Sequence, residues 1–300
     1  MNRNDKPLWS WPERSGIYSL MGILNVTPDS FYDGGRHYQV SLTSEGKHID
    51  LAVEHGLAML KAGARYLDIG GESSRPGAEP VSLDEELNRV IPVIKQLSEL
   101  APEAVISIDT TKPQVAARAL DSGARIINDI SGLSNPEMRE VAARYQAGVV
   151  IMHMRGTPKT MQTGDLSTPD IVKYVWSWLR DAAHQAVSSG ISPSQIAIDI
   201  GIGFGKTVDQ NISILKDLKR FTELGYPLLV GVSRKSMIGA ITGAPTQHRL
   251  PGSVAAIVEA RRRGGDIFRV HDVAESAQAL AVSDAICRGS STVWMGGDQC

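Results

Sequence analysis

Seven polar residues stand where apolar, β-prone runs give way to loops: Asn25, Asp68, Asp109, Asn128, His153, Asp199 and His271. The runs themselves, among them ARYLDIG, AVISIDT, ARIINDIS, GVVIMHM, QIAIDIG, PLLVGVS and DIFRVHD, are near-continuously hydrophobic, as parallel strands covered on both faces must be. The ends of such strands share one rim, so the polar stops read as one active site. Asp109, Asn128 and Asp199 come from three different strand ends. Two carboxylates and an amide facing one cavity suit a heterocycle with a guanidine-like edge, accepting from its ring N–H and exocyclic amine. A pterin or a purine has such an edge.

Cations stand beside them. Arg75 lies in a long loop, Arg234 and Lys235 follow the seventh strand, and Arg269 and His271 lie on the eighth. Together they point to an anionic ligand, since forked guanidinium groups bind phosphate bidentately and the loops after strands seven and eight are a recurring phosphate site in barrels. The glycine-rich GIGFGKT (201–207) is not a P-loop, because Ile200 stands where the motif needs glycine. Its glycines let the backbone approach a planar ligand and leave Phe204 as a wall. A metallohydrolase is excluded by the lack of an HxH pair or similar ligand spacing. Asn25 is a poor Zn²⁺ ligand but an acceptable oxygen donor to Mg²⁺ held mainly by substrate phosphates. Plainer readings stand for other residues: Asp68 as a helix N-cap, Asp109 as a possible cap for the helix after Lys112, and His153 as a core-edge imidazole. Arg261 to Arg263 complement the exposed carbonyls of a helix C-terminus rather than forming a nucleic-acid patch.

Eight strand–loop–helix units position these groups. Strands are expected at Ile17 to Leu24, Tyr66 to Ile69, Ala104 to Ile108, Arg125 to Asn128, Gly148 to Met152, Gln195 to Ile198, Pro227 to Val230 and Ile267 to Val270. Helices are expected at Glu45 to Ala62, Leu83 to Leu100, Pro113 to Ser122, Pro136 to Tyr145, Pro169 to Val187, Gln210 to Leu224, Ser253 to Arg263 and Ala274 to Cys287. Prolines just inside helix starts and glycines just before the next strand mark the boundaries. The fold class this predicts is α/β, a single-domain (β/α)₈ TIM barrel over residues 15–290, with an open doubly wound sheet second. Residues 1–14 read as a poorly ordered lead-in and 291–300 as a loose tail. Two βα loops, Asn25 to Ser44 and Gly70 to Ser82, far exceed the usual ~2 to 6 residues, as substrate clamps do.

The 300 residues fit a single barrel, and a net charge of -2 gives no field to recruit nucleic acid or an anionic membrane. Two cysteines, Cys287 and Cys300, cannot build a disulfide framework, so a reducing cytoplasmic setting is expected. No stretch approaches the ~18 to 20 apolar residues of a membrane span, and the start MNRNDKPLWSWPERSG lacks a signal-peptide apolar core.

The chain resembles the dihydropteroate synthase family along nearly its whole length. The motifs that carry the resemblance are MGILNVTPDSFYDGG, DIGGESSRPGAEPVS, SIDTTKPQVA, GARIINDISG, MHMRGTPKTMQ, GFGKT, LLVGVSRKSMIG and RVHDV, in the family's order. The resemblance implies a (β/α)₈ transferase that joins 4-aminobenzoate to 6-hydroxymethyl-7,8-dihydropterin diphosphate, releasing pyrophosphate. It implies that Asp109, Asn128, Asp199, Phe204 and Lys235 hold the pterin. Asn25, Arg75, Arg269 and His271 would bind the diphosphate, with Mg²⁺ on Asn25, and Asp109, Lys235, Arg269 and His271 would act in catalysis. Phe31, Ser74, Pro76, Phe204, Lys235 and Ser236 would bind aminobenzoate, the site that sulfonamides mimic, and the family's habit implies a homodimer. Ile200 and Ile202 replace an expected proline and phenylalanine, and Ser74 an expected threonine, which bears on the aminobenzoate pocket and inhibitor binding. The alternative is a pterin-binding methyltransferase serving a corrinoid partner, which has no need of a diphosphate clamp.

Overall fold

A computed structural model describes residues 9–12, 18–27, 45–75 and 77–289. Its strands are β1 (Ser19–Asn25), β2 (Tyr66–Gly70), β3 (Val105–Asp109), β4 (Ile126–Asp129), β5 (Gly148–Met152), β6 (Ile196–Asp199), β7 (Leu228–Val230) and β8 (Ile267–Val270). They close into one barrel in sequence order, each pair parallel, with β8 returning to β1. The helices are α1 (Glu45–Lys61), α2 (Leu83–Leu100), α3 (Pro113–Asp121), α4 (Pro136–Arg144), α5 (Ile171–Ser188), α6 (Val208–Lys216), α7 (Ser236–Thr242), α8 (Leu250–Arg262) and α9 (Val273–Arg288). The expected (β/α)₈ barrel forms, and every expected strand is present. Phe31, Pro76 and the 291–300 tail lie outside the described residues.

Two helical segments differ from expectation for local reasons. The stretch expected as one helix from Gln210 begins at Val208, where Thr207 and Gln210 form a reciprocal capping box. It then tightens into a 3₁₀ helix over Leu218–Leu224. Leu218 and Phe221 are buried there, and their three-residue spacing fits the 3₁₀ repeat. The second difference is α7, a short helix after β7 that ends at Gly243 in the left-handed region, φ 74°. It precedes the α8 that sequence periodicity placed alone between β7 and β8.

Alternation along the strands sorts the barrel interior into layers. Met21, Tyr66, Val105, Ile126, Val150, Ala197, Leu229 and Ile267 form one apolar cluster with Trp11. Two residues further along, where the pleat returns side chains to the same face, stand Asp68, Ser107, Asn128, Asp199 and Arg269. The barrel is therefore a well with a dry floor and a charged upper part.

Part of the expected lead-in belongs to that floor. Trp11 is 5% exposed, its indole Nε1 donates to the Gln195 carbonyl at 2.9 Å, and its backbone N–H donates to the Ser194 carbonyl at 2.9 Å. Trp9, Trp11 and Tyr66 meet edge to face, with the Trp11 and Tyr66 ring centroids 5.4 Å apart. Gly148 makes room for this, because a Cβ there would stand 2.2 Å from Trp9. Residues 9–12 are thus docked, not loose. Replacing Trp11 by Ala leaves a large void in the floor and is expected to cost ~3–5 kcal/mol, measurable by urea unfolding, while the folded fraction keeps its ligand affinity.

Candidate active site

The upper layer of the well is a charge network. Arg269 donates from Nε to Asp68 Oδ2 and from Nη2 to Asp109 Oδ2, both at 2.6 Å. Asn128 donates from Nδ2 to the same Asp68 Oδ2 at 2.9 Å. Asp68 is fully buried, and Asp109, Asn128 and Asp199 nearly so. Asp68 is therefore not a helix cap, and neither is Asp109. The helix that follows β3 has Lys112 at its cap position with no side-chain cap bond.

Burial dominates the electrostatics. It pushes the Asp109 carboxyl up to about 7, opposed by Arg269 and reinforced by Asp68 and Glu86. Asp199 is raised as well by burial, although its Oδ1 accepts the Gly201 N–H at 2.7 Å and Lys235 pulls the other way. Arg269 loses hydration too, but Asp68 and Asp109 outweigh that loss and hold it above its ordinary value. Lys235 is pushed down to about 8 by burial and by Arg269, with Asp199 and Asp109 opposing. Its Nζ lies 4.0 Å from the Phe204 ring centroid, a cation–π contact. His271 is pushed down to about 3 by burial, Arg269 and Arg234, so it is neutral at physiological pH. Ser233 Oγ accepts the His271 backbone N–H at 3.2 Å and lies 3.0 Å from Nδ1. When Ser233 gives its own hydrogen to Nδ1, the ring proton sits on Nε2, where it can be donated.

The loop after β6 forms one wall. Lys206, buried, donates from Nζ to the carbonyls of Gly201 at 2.7 Å, Phe204 at 3.1 Å and His153 at 3.2 Å. Gly201 has φ +62°, and a Cβ there would lie 1.9 Å from the His153 carbonyl oxygen, so only glycine lets the turn approach β5. Arg155 ties the same loop to its neighbours, donating to the Gly205 and Leu166 carbonyls, Thr168 Oγ1 and Gln210 Oε1. Phe204 packs with Ile130, Met152 and Met161 as the expected apolar wall. Ile200 and Ile202, where the family pattern has proline and phenylalanine, point into the main core and are buried there. Rigidity in this loop comes from Lys206 and Arg155.

The second long loop is tethered at both ends. Lys112 Nζ donates to Glu72 Oε2 and to buried Glu86 Oε2, each at 2.5 Å, and Glu72 Oε2 also accepts the Val81 N–H at 3.1 Å. Further along, Gly77 N–H donates to the Pro158 carbonyl at 3.2 Å and Lys159 pairs with Glu79 at 2.9 Å. Ser74 lines a hollow beside Asp109 with Glu72, Ser73, Thr110 and Ile130, and Arg75 is exposed above it. Asn25 ends β1 at the rim. Its Oδ1 lies 3.8 Å from where a Gly70 Cβ would be, so it faces the space that Gly70 leaves open beside Asp109. Among the described residues no three His, Cys, Asp or Glu cluster to hold a metal. A lone hard oxygen such as Asn25 Oδ1 fits a cation whose other ligands come from a phosphate substrate.

Most residues singled out from sequence thus converge: Asn25, Asp109, Asn128, Asp199, Phe204, Lys235, Arg269 and His271 in or on the well. Ser236 opens α7, exposed on the same rim. Arg234 instead pairs with Asp272, Nε to Oδ2 at 3.0 Å, and so braces α9. His153 is fully buried and packs edge-on against Tyr174 and Trp178. Burial pushes it down to about 2, which leaves it a neutral core imidazole. Sequence reading gave no role to Lys206, Lys112 or Ser233; the only signal was that Lys112 and Lys206 each follow a polar strand end by a few residues.

A model of the pterin binding enzyme family matches residues 21–271. The dihydropteroate synthase of Escherichia coli strain K12 is 45% identical over 266 residues, covering 89% of this chain and 90% of that protein. The structure of Xanthomonas albilineans dihydropteroate synthase with 4-aminobenzoic acid superposes with a TM-score of 0.81 at 42% identity, covering 90% and 93%. That of Yersinia pestis dihydropteroate synthase with a sulfonamide drug gives 0.84 at 39% identity, covering 93% and 100%.

Lys112→Met leaves buried Glu86 without its cation and is expected to destabilise the protein by on the order of 3 kcal/mol. Amide exchange over residues 71–82 is expected to accelerate, read by mass spectrometry. Unchanged exchange there would show that the tether does not hold the loop.

Proposed function

The chain belongs to the dihydropteroate synthase family of pterin-binding enzymes, and from that premise we propose how its well carries out the transfer. The reaction joins 4-aminobenzoate to 6-hydroxymethyl-7,8-dihydropterin diphosphate and yields 7,8-dihydropteroate and pyrophosphate for folate biosynthesis. The observation that carries this reading is the meeting of Asp109, Asn128 and Asp199 with Lys235 and Arg269 in one buried well. Carboxylates and an amide accept and order the hydrogen bonds of the pterin edge, while Phe204 and the Lys235 stem cover its face. Relatives at this identity are synthases, which removes the corrinoid-linked methyltransferase alternative.

Diphosphate leaves first. The bond between the exocyclic methylene carbon and the diphosphate oxygen breaks with its electron pair going to pyrophosphate, and the electron-rich dihydropterin ring takes up the positive charge. Asp109, ionised, stabilises that cation, while Arg75, Arg269 and the Nε2–H of His271 stabilise the leaving oxygens. Asn25 would hold Mg²⁺ together with the substrate's phosphates, and the ion would supply further charge neutralisation to the leaving group. The amine of aminobenzoate, seated by Ser74, Pro76, Phe204, Lys235 and Ser236 under Phe31, then forms the C–N bond and loses a proton to water. Sulfonamides, as mimics of aminobenzoate, compete for the same seat. We place the reaction in the cytosol, where the exposed Cys287 thiol stays reduced; among the described residues no helix is long and apolar enough to cross a membrane.

The enzyme acts as a homodimer through its outer helices, a reading supported by Val282 and Ile286, one turn apart on α9 and 60% and 67% exposed. Replacing both by Glu is expected to give a monomer in sedimentation velocity; a dimer that persists refutes this face.

The pH dependence follows from two shifted groups. Asp109 gains its charge as pH rises through about 7, and Lys235 loses its charge as pH rises through about 8. A bell-shaped kcat/KM for the pterin diphosphate between those values is expected, measured by pyrophosphate release dependent on both substrates. Asp109→Asn removes the acid limb and lowers kcat by ~10²–10³. No aminobenzoate-dependent release at any pH would overturn the assignment of the reaction.

A further inference from the structure

Asp68 touches no position assigned to a substrate, yet it is the most deeply buried acid of the well and bonds to two residues that are assigned. Resting on the reading that Asn128 meets the pterin, we propose that Asp68 is a positioning residue that sets the order of donor and acceptor Asn128 presents to it. An asparagine amide has a carbonyl oxygen and an NH₂ of nearly equal shape, and nothing intrinsic to the side chain decides which faces a ligand. Asp68 decides it here. Its Oδ2 accepts from Arg269 Nε at 2.6 Å, and a guanidinium only donates, so that oxygen is an acceptor and the atom of Asn128 lying 2.9 Å from it must be the NH₂ nitrogen.

One amide hydrogen is thereby committed to Asp68. The carbonyl oxygen and the second hydrogen remain for the ligand, in a fixed order. The aminopyrimidine edge of a pterin is an ordered row of ring nitrogens and an exocyclic amine, so a flipped amide would set donor against donor and acceptor against acceptor. Arg269 itself is bound at its other end by Asp109, which prevents it from rotating away to let the amide turn. The floor beneath is apolar. Asp68 also pairs in register with Ser107 on β3 and Ile23 on β1, which keeps its backbone in the middle of the sheet rather than on a loop.

The test measures the affinity of 6-hydroxymethylpterin, which carries no phosphate, by its fluorescence. Asp68→Ala is expected to weaken binding about tenfold to a hundredfold, the range for a buried group left unsatisfied or misdirected. In an Asn128→Ala background the same change is expected to alter affinity by less than about threefold, whereas in an Asp199→Asn background the full loss should persist. A merely structural role would give the same loss in both backgrounds. Asp68→Asn should keep affinity within about threefold of the wild type, because Arg269 still donates to position 68 and compels an oxygen there. That variant carries the test alone if Asp68→Ala does not fold. The proposal is overturned by wild-type affinity in Asp68→Ala, by an undiminished loss in the Asn128→Ala background, or by a loss beyond threefold in folded Asp68→Asn. Failure of the wild type to bind the pterin would overturn this proposal and the pterin reading together, whereas binding without pyrophosphate release would overturn the reaction alone.

Discussion

A guanidinium shared between two buried carboxylates, Arg269 with Asp68 and Asp109, is the interaction on which the rest of the site depends. Three acids converge on the well, and each loses hydration at a cost of several kcal/mol per ion unless a partner offsets it. Removing Arg269 would leave Asp68 and Asp109 facing one another without a shared cation, and Asp109, whose pKa Arg269 lowers, would be pushed further up. The compensation is partial even with Arg269 in place, since Asp109 is still pushed up to about 7. That residual strain suits the chemistry. Under the proposed mechanism, a carboxylate that burial leaves short of positive charge gains most from a ring that becomes cationic as its diphosphate departs.

Such a network requires a scaffold that does not yield. The closed barrel provides it by satisfying every strand edge, and the aromatic floor of Trp9, Trp11 and Tyr66 keeps water from entering beneath the charges. Two rim loops are fixed by buried or half-buried lysines, Lys206 on three carbonyls and Lys112 on two glutamates. Arg75 and Ser74 therefore stand on a loop tethered before any ligand binds, at Glu72 near its start and at Glu79 beyond Gly77. Sequence reading expected both long loops to act as substrate clamps. For the second loop the tethers argue for preorganisation, which lowers the entropic cost of binding.

The strands were legible because burial on both faces writes an unbroken apolar run, and the strand-end polar residues because they interrupt it. Asp109, Asn128, Asp199 and His271 could be found that way. Their partners could not. Asp68 and Asp109 look alike in sequence, each closing a run of the form apolar-Asp, and only the barrel stagger shows that one reaches the ligand space while the other lies beneath it. Lys206 sat in a glycine-rich string that invited comparison with phosphate loops, yet its ammonium turns inward to carbonyls rather than outward to an anion. Arg234 next to Lys235 suggested a doubled cation, but the backbone at Arg234, φ 56°, turns it toward Asp272. Trp9 and Trp11 were unreadable because two aromatics in a polar leader show no periodicity; the hole that Trp9 fills is at Gly148, more than a hundred residues away.

The vertical order of charge in the well bears on the heterolysis proposed above. In the proposed step, breaking the carbon–oxygen bond separates a cation, which stays with the ring, from an anion, which moves toward the rim. Asp68 and Asp199 lie in the layer directly above the apolar floor and Asp109 two residues further along its strand, while Arg75 is exposed on its tethered loop. Arg269 spans the two zones, its Nε on Asp68 and its Nη2 on Asp109, so it can keep its lower anchor while its upper end answers the departing oxygen. A neutral His271 fits this arrangement better than a charged one. It can give a hydrogen bond to the leaving group without adding a cation beside Arg269; burial first, and the Arg269 charge second, keep the imidazole neutral. Fixed dipoles and charges arranged along the direction in which charge separates need no reorganisation as the bond breaks, which is the form of catalysis that a rigid barrel supplies most directly.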